Sequence, residues 1–125
     1  MKVRTVTTYY ARMKGLLGTA QHQLDYDAMH LVPCRGVHTF GMSYALDIAF
    51  LDADRKVIAV RENVAPNVLC ASPKGTRSIL ERPASASYWL RPGECIIDYF
   101  EDENEESRTD KKEQIHEHDE DLSHL

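Results

Sequence analysis

The sequence predicts a mainly β, small α+β domain: compact, antiparallel, barrel-like or two-layered, with one or two short helices and a disordered acidic C-terminal tail. Three observations carry this expectation. Six or seven short β-branched, aromatic or aliphatic runs recur with turn residues between them at intervals of roughly 8–12 residues. No segment offers the long helix that links the strands of a doubly wound parallel sheet. The length, 125 residues, supports one hydrophobic core and is too short for two.

The elements follow in order. From Val3, the run Val-Arg-Thr-Val-Thr-Thr-Tyr-Tyr has the composition of a strand. Ala11 to Leu17 holds good helix formers before Gly18, which predicts one short helix. Residues 19–27 are polar and read as a loop. Ala28 to Val32 is a short apolar run cut by Pro33, and Val37 to Met42 resumes it. Leu46–Leu51 and Lys56–Arg61 flank Asp52-Ala53-Asp54-Arg55, which predicts a β-hairpin. With no glycine in it, the connection is expected to be a type I turn of four or five residues. Residues 65–75 form a loop with two prolines and a glycine. Thr76 to Arg82 is a strand stopped by Pro83, Ala84 to Leu90 a single helical turn, and Arg91-Pro92-Gly93-Glu94 a turn into a last strand, Cys95 to Phe100.

Composition bounds the function. Hydrophobic residues at 42% and charged residues at 28% suit a soluble globular chain. The net charge of -5 is uneven: residues 1–100 carry 12 Lys+Arg against 9 Asp+Glu, and residues 101–125 carry 3 against 11. The body is mildly basic, and a tail this acidic repels itself and cannot bury enough apolar surface to fold. The basic excess is small and scattered, so no nucleic-acid partner is expected. Cys34, Cys70 and Cys95 are odd in number and widely spaced, unlike a disulfide framework. Without a signal-peptide core or an 18-residue apolar run, the expectation is a cytoplasmic protein with no membrane partner.

Chemistry-bearing side chains concentrate in Cys34-Arg35-Gly36-Val37-His38-Thr39-Phe40-Gly41-Met42, followed by Asp47. Three readings compete. Cysteine, histidine and methionine at short intervals resemble a blue-copper ligand loop, but the upstream histidines, His22 and His30, lie close by, so no metal or cofactor is expected. As a nucleophilic site, Cys34 would attack, His38 act as base and Asp47 orient the imidazole. In the third reading Cys34 and Met42 fill the core and the polar groups are structural. His116 and His118 in the tail would hold divalent metal only nonspecifically.

The strings Arg12-Met13-Lys14-Gly15-Leu16-Leu17-Gly18, Pro33-Cys34-Arg35-Gly36-Val37-His38-Thr39-Phe40-Gly41-Met42, Leu46-Asp47-Ile48-Ala49-Phe50-Leu51-Asp52 and Leu90-Arg91-Pro92-Gly93-Glu94 together resemble domain-of-unknown-function family 192. The resemblance spans about residues 3–100 and points to the branch with a Pro-Cys-Arg-x-Val-His-Thr-Phe-Gly-Met segment. It implies a small β-rich single domain, found in bacteria and archaea, with no established activity. The chain departs from the family pattern at Ala45, where members often have proline, at Arg55, where the hairpin often has glycine, and in the acidic extension after Phe100.

The family motif covers His38, Thr39, Met42 and Asp47, which are the candidate ligand-binding residues, with Arg12 and Arg35 as cationic partners of a small anionic ligand. The expected function is a non-enzymatic β-domain that binds a small ligand or a protein. The alternatives are a hydrolase or transferase using Cys34 and His38, with Asp47, and an interaction protein whose acidic tail docks on a basic partner.

Overall fold

The computed structural model describes residues 1–7, 14–96 and 101–104, and its organising element is one open, mixed sheet. Eight strands are present among these residues: β1 (Lys2–Val6), β2 (Ala28–Leu31), β3 (Val37–His38), β4 (Leu46–Leu51), β5 (Val57–Val64), β6 (Leu69–Cys70), β7 (Ser78–Pro83) and β8 (Glu101–Asn104). Six of them form the sheet in the order β5-β4-β7-β2-β1-β8, while β3 and β6 pair as a separate antiparallel ribbon. The sheet has two edges, β5 and β8, so it is not a closed barrel. Helix is almost absent from the described residues, a single 3-10 turn at Gln21–Gln23 being the defined one.

β4 and β5 form the expected hairpin, paired antiparallel. Its turn is tied by Asp52, whose side chain accepts the N–H groups of Asp54 and Lys56, and it closes through Arg55 in the left-handed region, φ 60°. The longer strand Val57–Val64 also bends at Asn63, φ 52°, where the register against β4 shifts. β4 and β2 each pair antiparallel with β7.

β1 pairs parallel with both β2 and β8. Parallel neighbours need a long connection; residues 7–27 supply it between β1 and β2, and the part of it described after residue 13 holds turns and the 3-10 turn at Gln21–Gln23. β8 starts at Glu101, where the acidic tail is expected to begin, so Glu101, Asp102, Glu103 and Asn104 take part in the sheet. The expected strand residues 8–10, helix residues 11–13, strand residues 97–100 and tail residues 105–125 lie outside the described residues.

Both faces of the sheet are covered, and strand alternation assigns each residue to one of them. Leu46, Ile48, Phe50, Ile79, Leu31, Met29 and Val6 pack on the first face with Leu16 and Tyr26. Ala49, Leu51, Leu80, Ala28 and Val3 pack on the second with Trp89, Leu90 and Ile96. Every residue of β4 is therefore buried. Each large side chain such as Phe50 or Ile79 contributes roughly 1.5–3 kcal/mol by leaving water, and together they lock the register of the three central strands.

Residues 84–90 are not a helical turn. Arg82, projecting from β7, donates to the carbonyls of Ser87 and Tyr88, and Asp47 accepts the Ser85 N–H. These bonds take up the backbone groups that a helix would have paired internally.

Candidate functional site

The two central strands carry adjacent polar residues that point to opposite faces. Asp47 pairs with Arg82 in the register, and Ile48 with Glu81. On the second face, the Asp47 carboxylate accepts Arg82 Nε at 2.9 Å, the Asn63 N–H at 2.9 Å and the Ser85 N–H at 3.2 Å. The Arg82 guanidinium also lies 4.5 Å over the Trp89 ring. This node is saturated: each charge has a partner and both carboxylate oxygens are used. It borders an open, shallow depression formed by Asn63 and the Ala84–Ser87 loop, and its chemistry is that of a structural clamp.

On the first face, Glu81 is buried with far less compensation. Its Oε1 accepts the Leu16 N–H at 3.0 Å. Among the described residues no other hydrogen bond or ion pair reaches the carboxyl group. Burial raises its pKa from the usual 4.5 to about 7, a shift the Leu16 hydrogen bond only partly opposes. The bond arises because Gly15, φ 52°, lets the turn after Lys14 press onto β7. A Cβ at that position would stand 2.5 Å from Glu81 Oε1, and the left-handed φ of 52° favours glycine in any case.

A chain of bonds anchors this turn. Leu17 N–H donates to the Lys14 carbonyl at 2.9 Å, Thr19 Oγ1 donates to the Leu16 carbonyl at 2.6 Å, and the Tyr44 hydroxyl lies 2.6 Å from Thr19 Oγ1. The Tyr44 pKa is raised, chiefly by burial, with the Thr19 bond opposing and the Glu81 charge adding.

Glu81 lines a cleft of about 210 Å³ whose walls are Leu17, Leu31, Val37, Phe40 and Met42, with Lys14 and His38 among its polar groups. The volume equals that of about seven liquid waters and falls below the ~300 Å³ typical of sites for drug-sized ligands. Its occupant would be a molecule of a few heavy atoms. The His38 ring stacks on Phe40 with centroids 4.9 Å apart, and its Nδ1 accepts the Phe40 N–H.

The candidate residues from the sequence thus separate. His38 and Met42 meet at the cleft. Asp47 does not join them, because it points to the other face of the sheet and is occupied by Arg82. Thr39 is fully buried outside the cleft, donating to the Ala65 carbonyl and accepting the Val68 N–H, and so fastens β3 to the β5–β6 loop. Arg35 is exposed and outside the lining, while Arg12 lies outside the described residues.

The Cys34-His38-Asp47 triad is not assembled either. Cys34 Sγ donates to the Gly36 carbonyl, and Asp47 lies across the sheet from His38. Sequence reasoning missed Glu81, since an acid beside an arginine in Ser-Ile-Leu-Glu-Arg-Pro reads as an exposed position. The available signal was Gly15 within the Lys14-Gly15-Leu16 turn, a sign of close backbone approach. Among the described residues no group of three or more His, Cys, Asp or Glu converges to hold a metal, and no helix is long and apolar enough to cross a membrane.

A sequence model of the family described as DUF192, "Uncharacterized ACR", matches residues 1–96. No curated protein matches the chain. Among solved structures, it is similar to a protein of unknown function from Novosphingobium aromaticivorans, at 22% identity and TM-score 0.63, covering 73% of this chain and 70% of that one. It is also similar to a "putative transcription regulator" from Sinorhizobium meliloti, at 20% identity and TM-score 0.57, covering 66% and 67% respectively. At these identities the likeness is one of fold.

Proposed function

The chain belongs to domain-of-unknown-function family 192, and from its cleft we propose that it is a non-enzymatic binding domain for a small molecule with an N–H donor head and a short apolar body. One observation carries this reading: a buried carboxyl with a single hydrogen bond, Glu81, lines an otherwise largely apolar cleft. An unsaturated buried carboxyl is expensive unless something supplies donors or charge. A primary amine or amidine would do so, and the Leu17, Val37, Phe40 and Met42 walls would cover its carbon chain. The incompletely bonded Glu81 carboxyl favours this head over the anionic one expected from Arg12 and Arg35. The three thiols form no disulfide, which supports a reducing, cytoplasmic setting.

Titrating the protein with n-butylamine, n-butanol and butyrate at pH 8, followed by amide NMR, tests the proposal. The amine is expected to shift Gly15, Leu17, Gly36 and His38 saturably, the alcohol weakly and the acid not at all. Glu81→Gln should weaken the amine about tenfold. No saturable shift at these residues, or an equal response in the variant, would overturn the assignment.

A further inference from the structure

A second depression, of about 290 Å³, lies where the Lys14–Ala20 turn shows its other end. Gly18, Thr19, Gln23, Asp25 and Tyr26 line it together with Arg4. Arg4 sits on β1, in the register row that runs through Met29 to Glu81, so it faces the same side of the sheet two strands away. Its guanidinium carbon lies 4.6 Å over the Tyr26 ring, a stack that holds the planar donor fork in place. Arg4 Nε is buried and has no hydrogen-bond partner among the described residues.

A guanidinium stays protonated at every physiological pH. A buried cationic donor without an acceptor calls for a bound water or an anion, and a fork preset by stacking matches two oxygens of one oxyanion.

We propose that this depression is a binding site for a small oxyanion, a carboxylate or a phosphate, held by the Arg4 fork with the Gln23 side-chain amide as a second donor. Asp25 also lines the depression and opposes an anion, which places the expected dissociation constant in the roughly millimolar range. The site shares no lining residue with the Glu81 cleft, so the two proposals stand or fall separately.

The test is titration of the full chain with inorganic phosphate and, separately, with acetate, at ionic strength fixed by sodium chloride and at pH 7. The Arg4 Nε–H signal and the Gly18 and Thr19 amides are expected to shift saturably, while the Gly36 amide on the other side of the turn stays still. The arm that saturates at lower concentration identifies the preferred oxyanion. Arg4→Gln should weaken binding at least about tenfold, and Arg4→Lys should fall between, since a lysine cannot offer a planar fork. An unmoved Arg4 Nε–H signal in both arms would overturn the proposal without recourse to any variant, as would equal affinity in a folded Arg4→Gln protein.

Discussion

Asp47 and Glu81 are both acids in central strands, 2% and 3% exposed, yet they face opposite sides of the sheet and opposite fates. Asp47 receives a guanidinium and two backbone N–H groups. Glu81 receives one N–H and lines a cleft. Depth of burial therefore does not distinguish a structural acid from a candidate site. What distinguishes them is how completely the neighbours replace the lost water. The second face spends its polar groups on itself, and the first leaves one incompletely answered.

Asp47→Ala strands the Arg82 charge in a buried setting and should cost about 3–5 kcal/mol, measured by urea denaturation. A loss below about 1 kcal/mol would mean that Arg82 is held by the Ser87 and Tyr88 carbonyls alone.

Glu81 should behave in the opposite sense. Below pH 4.5 its carboxyl is protonated in both the folded and unfolded chain and adds no penalty. Between 4.5 and about 7 the unfolded chain releases the proton and the folded chain keeps it, so stability falls as pH rises. The decline levels off above the folded value, after a loss on the order of 3 kcal/mol. Glu81→Gln should remove this dependence and leave the protein more stable than wild type at pH 8. Denaturation at pH 4.5 and pH 8 checks it, and a variant with the wild-type slope would assign the dependence to other groups.

A smaller effect is expected where the turn meets the carboxyl. Gly15→Ala places a methyl group against Glu81 Oε1 and a side chain in left-handed backbone, for a loss of about 2 kcal/mol. The control is Gly36→Ala, whose Cβ would meet nothing within 4 Å; equal losses in thermal melts would remove the argument from close approach. Smallest of all, and away from both faces, Arg55→Gly relieves the left-handed residue of the β4–β5 turn and should stabilise by roughly 0.5–1 kcal/mol, read as a modest rise in Tm.

Much of the fold was legible. The hairpin of β4 and β5 followed from two apolar runs around four turn residues, and β7 from a run stopped by Pro83. The parallel pairing of β1 was not legible, because strand composition says nothing about partner direction. The turn at 84–90 was misread as helical because its backbone bonds go to the side chains of Arg82, on β7, and of Asp47, which is remote in sequence. At the site, His38 and Met42 lay within a motif that could be picked out, while Glu81 did not. With both faces of β7 buried, the usual alternation of apolar and polar residues disappears, and Glu81 beside Arg82 looks like a charged surface pair.

By itself, then, the sequence determined the β class, the central hairpin and the family, because these rest on local composition and on motifs contiguous along the chain. Only the tertiary structure decided that Asp47 meets a cation while Glu81 meets a cleft. A strand turns neighbouring residues to opposite faces, and what waits on each face comes from segments more than 30 residues away, Leu16 for one acid and Arg82 for the other.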